Sequence, residues 1–347
     1  MPGTLALTSA GLVGASLVAA SSMGLFSGNQ MPVDGKTVLI TGASEGMGRS
    51  AARLLAAQGA NVIVVARNVD RLKETVAEIK AAAKSSTQRF HFVSADVAVE
   101  NYASAVIRDA LAWNGDKPID IVWCVAGMST PMLWAEETQD VAVGASRRNM
   151  DVNYWGAAEM AHAILREWLR PEAGPYKEPR HLIFTASVLA LYPVAGYATY
   201  TPTKWALRGL ADTLTQEVML YEKTNPVRVS MVFPGTILSP GFERETKTKP
   251  DVTIHLEKDD PQFTPDEVAS KAIKGLQRGD HFVTVSMLGD VMRWSVLGGA
   301  PRNNWILDTI GAWIMSFIMF FILLWFHGEI KGWGKKNGHP ATYKKKI

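Results

Sequence analysis

Short apolar runs and longer amphipathic stretches alternate along most of this chain. The runs cover Lys36–Thr41, Asn61–Arg67, Phe90–Asp96, Ile119–Gly127, His181–Ser187 and Val227–Gly235. Several carry apolar side chains at consecutive positions, as in Asn61-Val-Ile-Val-Val-Ala-Arg67. A strand buried on both faces reads that way, because neither face has to be polar. Between the runs lie stretches of helical composition, notably Met47–Gln58 closed by Gly59, Asp70–Ala83, Ser146–Leu169 and Thr203–Tyr221. Strands that alternate with helices predict an α/β fold, a doubly wound parallel sheet covered on both sides. No repeat of 20–50 residues interrupts the series.

The pattern changes in three places. Between Thr236 and Asp266 polar residues dominate. This segment follows a strand on the carboxyl side of the sheet, where open α/β folds bind ligands. Composition allows either a mobile substrate cover or an inert surface insertion. At the N-terminus, Leu5–Phe26 carries no charge and is rich in Ala, Gly and Ser. It lacks the basic start of a signal peptide and makes a marginal span, so a buried or peripheral membrane role is expected. At the other end Thr309–Phe326 is uncharged and dense in Ile, Met, Phe and Trp, with Trp305–Leu307 just upstream. That reaches the ~20 residues a bilayer crossing needs. Lys331, Lys335 and Lys336 follow it.

Charged residues make up 20% of the 347, with a net charge of +3 and no basic stripe interleaved with aromatics. Nucleic-acid binding is therefore not expected. Cys124 is the sole cysteine, which excludes an internal disulfide and fits a reducing compartment. No metal site is expected, and the sequence leaves oligomeric state open, a homo-oligomer included.

The candidate chemistry begins at Thr41-Gly42-Ala43-Ser44-Glu45-Gly46-Met47-Gly48, where the first strand runs into a helix. Such a loop offers free backbone N–H groups and a positive helix end to a pyrophosphate. Gly42 permits the tight turn, Gly46 the close approach of backbone to ligand, and Gly48 the packing of the helix. Gly42, Ser44 and Gly46 also match the nucleophile elbow of hydrolases. That reading leaves Gly48 and the residues described next unexplained. At the end of the second run, Ala66-Arg67 stands where an NAD site carries an acid for the ribose 2′-hydroxyl. With Arg71 one helical turn on, a guanidinium fork suits a 2′-phosphate, so NADPH is the expected cofactor.

A carbonyl that receives hydride gathers negative charge on oxygen and needs a proton donor. Tyr200 and Lys204 stand four apart, on one face of a predicted helix, where an ammonium would favour the phenolate. Ser187 ends a strand and would hold the substrate oxygen. Tyr192 and Tyr197 have no lysine four residues later.

Together these residues resemble the short-chain dehydrogenase/reductase superfamily, over roughly 33–285. The resemblance implies a Rossmann fold with Ser187, Tyr200 and Lys204 as catalytic residues and Asn153, in Asp151-Val-Asn-Tyr-Trp-Gly156, holding a relay water. It implies cofactor contacts from Glu45, from Asp96-Val97, from Ala126-Gly127 and from Ile237 and Ser239. Gly42-Ala-Ser-Glu-Gly46 with Ala66-Arg-Asn-Val-Asp-Arg71, the segment Ser239–Pro250 and the apolar C-terminal region look most like the fungal 3-ketodihydrosphingosine reductase family. That likeness implies reduction of a long-chain keto-amine lipid by NADPH in sphingolipid synthesis, at the cytosolic face of the endoplasmic reticulum membrane. Glu243 or Glu245 would then be candidates to meet the lipid's ammonium. Lys344–Ile347 resembles a dilysine retrieval signal. A cytosolic tail and a cytosolic domain require an even number of crossings, hence an expected hairpin, with Phe282–Gly298 dipping in and Trp305–Phe326 returning. The expected division is 1–32 apolar segment, 33–285 reductase domain, 286–330 membrane hairpin or span, and 331–347 basic tail. Rival readings are a membrane-bound reductase of a 3-ketoacyl-CoA, steroid or retinoid, and a non-catalytic NADPH-binding scaffold.

Overall fold

Seven parallel strands form the centre of the molecule because most of their side chains, on both faces, are apolar and buried. The computed structural model describes residues 28–343. The expectations for Leu5–Phe26 and for Lys344–Ile347 concern residues outside that range. In chain order the main elements are β1 (Thr37–Thr41), α1 (Gly46–Ala57), β2 (Asn61–Ala66), α2 (Val69–Ala81), β3 (Phe90–Ser94), α3 (Tyr102–Trp113) and β4 (Ile121–Cys124). They continue with α4 (Gln139–Met150), α5 (Gly156–Leu169), β5 (Arg180–Thr185), α6 (Thr201–Val218) and β6 (Val227–Phe233). The sheet order is β3-β2-β1-β4-β5-β6, with a seventh strand beyond β6. Every pairing is parallel, with Ile40 opposite Val64 and Trp123, and Phe184 opposite Met231. The order reverses between β1 and β4, which places a ligand crevice at their carboxyl ends.

Alternate side chains of each strand enter two separate cores. Leu39, Val122, Leu182 and Phe184 pack with α3, α5 and α6 on one face. Val38, Ile40, Ile121 and Ile183 pack with α1 and α2 on the other, together with the later helix Pro265–Arg278.

The polar segment after β6 is structured. It forms β7 (Thr236–Ile237), α7 (Pro240–Thr248), α8 (Asp251–Leu256) and β8 (Gln262–Phe263), and leads into α9 (Pro265–Arg278). The seventh strand of the sheet is β9 (Phe282–Thr284), which pairs Phe282 with Met231. This corrects the expected hairpin: its first arm starts inside the sheet, where Phe282 and Val283 are fully enclosed. The α10 helix that follows (Met287–Ser295) is far too short to cross a bilayer. Asp290 and Arg293, two charges inside that expected arm, are both partnered. Asp290 bonds the Thr284 hydroxyl, and Arg293 makes a bidentate pair with Asp308, both bonds at 2.8 Å. Asp308 lies near the start of α11 (Trp305–Asn337), so α10 and α11 are joined by a buried ion pair. Removing one partner of such a pair costs about 3–5 kcal/mol, because the other charge stays buried.

Candidate active site

β1 ends at Thr41, and the chain turns at Gly42 with φ +70°, where an L side chain costs about 1–2 kcal/mol. A Cβ there would also stand 2.6 Å from the backbone N and Cα of Ala126. Only glycine lets this loop pass the exit of β4. The Thr41 hydroxyl accepts from the N–H groups of Val125 and Ala126, at 3.2 and 3.4 Å, which fixes the two strand ends together. Glu45 is the N-cap of α1, yet its side chain makes no capping bond and the first turn holds no acid. The helix therefore keeps N–H groups and a positive end available for an anion. Ser44 lies between Gly42 and Gly46 in the same loop, and Gly48 backs onto the Gly42 carbonyl.

Other strand ends bring the remaining candidates to this edge. Arg67 follows β2, is three-quarters exposed, and lies 3.6 Å from the Asp96 carboxylate. Asp96 also accepts from Ala98 N at 3.0 Å, and Val97 packs against Gly156. Arg71, on α2, is joined to Glu45. Gly127 follows β4, and a Cβ on it would lie 3.3 Å from Asn153 Oδ1 and 3.4 Å from Lys204 Nζ. Its missing side chain keeps open a cleft in front of both groups. Asn153 sits in a single π-turn, Asp151–Trp155, inserted between α4 and α5. That turn breaks the uninterrupted helix expected over Ser146–Leu169, and such bulges recur at functional sites. The Asn153 side chain clamps Met128 by accepting from its N–H at 2.8 Å and donating to its carbonyl at 2.9 Å. It donates to the Thr203 hydroxyl as well, at 3.0 Å.

Ser187 follows β5, and Tyr200 caps the N-terminus of α6, with Pro202 tolerated in the first turn. Lys204 is buried within that helix. Its ammonium, however, donates to the Thr185 carbonyl at 2.9 Å and stands 5.7 Å from the Tyr200 ring. The expected acidifying effect of Lys204 on Tyr200 is not what this arrangement gives, because a strand-end carbonyl holds the charge. Burial raises the phenol's pKa, the Glu245 carboxylate raises it further, and a hydrogen bond with Ser187 draws it back. Burial lowers Lys204 to about 8. A phenol bonded to Ser187 and a lysine ready to give up its proton meet at one sheet edge, beside a glycine cradle.

The profile of the short chain dehydrogenase family matches residues 36–250. The chain is 58% identical to the 3-ketodihydrosphingosine reductase gsl-3 of Neurospora crassa, over 98% of this chain and 95% of that one. It is 40% identical to the reductase of that name, ksrA, from Aspergillus fumigatus, over 96% and 94% of the two chains. The chain belongs to the short-chain dehydrogenase/reductase family. Membership makes it an oxidoreductase, and within the family it is like the fungal enzymes just named. The fold agrees with a short-chain dehydrogenase from Sphingobium yanoikuyae in complex with NADPH: TM-score 0.61, 22% identity, over 76% of this chain and 92% of that one.

In this short-chain dehydrogenase/reductase family member the polar segment lies over the site. Ser239 caps α7 by accepting from Phe242 N at 3.3 Å, and its Cβ is 3.5 Å from where a side chain at Gly46 would begin. Ile237, in β7, packs against the core under the glycine loop. Arg244, on α7, is paired with Glu45. On the opposite side the Tyr197 hydroxyl donates to Glu245 at 2.6 Å. Lys249 is buried between Glu245 at 3.0 Å and Glu257 at 2.6 Å. The sequence reading missed this cluster and the Thr185 acceptor. The Glu245–Lys249 spacing of four was the visible sign of the first; nothing in the sequence marks the second. Of the two proposed ammonium partners, Glu243 is exposed, whereas Glu245 acts on Tyr200. Among the described residues no group of three His, Cys, Asp or Glu could hold a metal.

Proposed function

We propose that this chain is an NADPH-dependent reductase of 3-ketodihydrosphingosine, held at the cytosolic face of the endoplasmic reticulum membrane. The observation that carries the chemistry is the meeting of Ser187, Tyr200 and Lys204 in front of the Gly127 cleft. A reduced nicotinamide bound there would supply the hydride that the C3 carbonyl carbon receives. Ser187 donates a hydrogen bond to the carbonyl oxygen, and the Tyr200 hydroxyl gives that oxygen its proton, so ketone becomes alcohol. Lys204, whose proton is loosely held, restocks the phenol, and the family resemblance gives Asn153 the role of holding a relay water. Gly42, Ser44, Gly46 and Gly48 fit a pyrophosphate, and Asp96, Val97 and Ala126 line the strand ends beyond. Arg67, exposed and weakly paired, is the guanidinium most free for a 2′-phosphate; Arg71 shares the role only by loosening from Glu45.

The substrate reading is supported by the names of the two fungal relatives and by charge. Glu245 and Glu257 set two carboxylates against the one ammonium of Lys249. One negative charge is left over beside Tyr200, which a keto-amine substrate would neutralise. The membrane part of the reading is supported by α11, long and apolar enough for a bilayer. Turnover of 3-ketodihydrosphingosine by the full chain, with NADPH against NADH, tests the proposal. Strong preference for NADPH is expected; equal rates with NADH, or no turnover, would overturn it.

A further inference from the structure

The helix α11 is long and apolar enough to cross a bilayer, yet it is fastened to the domain near both ends. Asp308, Gly311, Met315, Met319, Phe326 and Trp333 are all buried or partly covered. They recur every three to seven positions, which at about 100° per residue is a single face. Ile306, Ile310, Trp313, Phe317, Phe321 and Leu324 lie on the opposite face, and each is at least 45% exposed. Near its start the helix is held by the Arg293–Asp308 pair. Toward its end Phe326 meets Tyr192 edge-on with ring centroids 5.3 Å apart, His255 lies 3.3 Å from Glu329, and Trp333 lies against the His255 ring at 4.6 Å.

We infer that α11 is a strap lying in the plane of the bilayer surface, with its outer face sunk in lipid, and not a span. Asp308 and Trp333 are about 38 Å apart along the axis, at about 1.5 Å per residue. The hydrocarbon core is only about 30 Å thick. A crossing helix fastened to the domain at both points would drag the polar domain through that core. A helix that is apolar all round usually reads as a span, but here the two faces have separate reasons. The inner face packs on protein, and the outer face has no partner except lipid. Trp305 and Trp325, 65% and 64% exposed, suit the interface, and the exposed Lys331, Lys335 and Lys336 suit anionic headgroups.

The strap has a consequence for substrate entry, which rests on the proposed membrane-lipid reductase reading. Tyr192 lies five residues beyond Ser187, and His255 belongs to α8 of the cover. α11 touches both, so it runs past the mouth of the candidate site. A lipid ketone whose tail lies in the outer leaflet can reach Tyr200 without entering water.

Single cysteines placed at Ile306, Ile310, Phe317, Phe321 and Leu324 in the full chain would carry a nitrobenzoxadiazole label; buried Cys124 stays unlabelled. The labelled proteins are bound to phosphatidylcholine/phosphatidylserine vesicles and quenched by lipids spin-labelled at shallow and deep positions. The strap predicts one common shallow depth, about 5–10 Å below the headgroups, at all five positions. A profile that is deepest near Phe317 and shallow at both ends would overturn it, as would no quenching anywhere. These depths are read without substrate, so the strap and the substrate assignment fail separately. A Phe317→Ser/Phe321→Ser variant should raise KM for a vesicle-held long-chain ketone at least about tenfold while turnover of a detergent-dispersed short ketone stays unchanged. Equal KM for the vesicle-held ketone would remove the entry route.

Discussion

The glycine loop and the cover above it form two walls of one cleft, but they are built by opposite means. The loop is local: strand, turn and helix follow within a dozen residues, and each glycine answers a steric demand of its neighbours. The cover is assembled at a distance. Glu45 meets Arg244 across 199 positions, Tyr197 meets Glu245 across 48, and α11 returns to α8 from the far end of the chain. The loop can therefore present only what nearly any nucleotide-binding fold presents, whereas the cover can set substrate charge and membrane contact. Chemistry should depend on Ser187, Tyr200 and Lys204, which β5 and α6 set between these two walls, and selectivity on the cover.

The sharpest way to break that division is Tyr200→Phe. The variant keeps the ring and loses the donor, so kcat should fall about 10²–10⁴-fold or more while cofactor affinity and the circular dichroism spectrum stay unchanged. Retained turnover would remove the phenol from the chemistry. The lysine gives the next largest effect, and its sign follows from burial. A lysine lowered to about 8 carries its charge below that pH and loses it above. If the ammonium form is the competent one, kcat/KM falls about tenfold per unit above pH 8. Lys204→Arg, always charged, should flatten that limb and lower its plateau.

The loop was legible in the sequence because its demands are met within a few residues. The fold class was legible for the same reason: buried parallel strands read as unbroken apolar runs. What escaped was set by distant partners. β9 is only three residues long, and Phe282-Val-Thr next to an apolar tail reads as membrane until β6 is seen beside it. The α7 segment is mostly polar, so no apolar stripe announced a helix whose side chains bind Glu45, Tyr197 and Lys249. Lys204 was placed on the correct helix face, but its partner, a backbone carbonyl on another element, leaves no trace in side-chain pattern.

On the cover side, Glu245→Gln separates selectivity from chemistry. KM for the amino ketone should rise about tenfold, roughly 1.4 kcal/mol, while a ketone of equal length without the amine is unaffected. Loss of the same carboxylate also removes a charge that raises the Tyr200 pKa, so the phenol's limb of the pH–rate profile should move to lower pH. A uniform loss on both ketones would make Glu245 merely a brace for Lys249.

The smallest effect is expected at Arg67, and it tests whether the loop side has any selectivity of its own. Arg67 is three-quarters exposed and its bond to Asp96 is long, so a phosphate would meet it in a solvent-screened setting. Arg67→Ala should therefore lower the preference for NADPH over NADH only about five- to tenfold, near 1 kcal/mol, through KM for NADPH alone. Arg71 is held by Glu45, which in turn holds Arg244 of the cover. If Arg71→Ala changes cofactor preference more than Arg67→Ala does, the 2′-phosphate competes with Glu45 for that guanidinium. Cofactor choice would then be coupled to the cover through one carboxylate, and the two walls would not be independent after all.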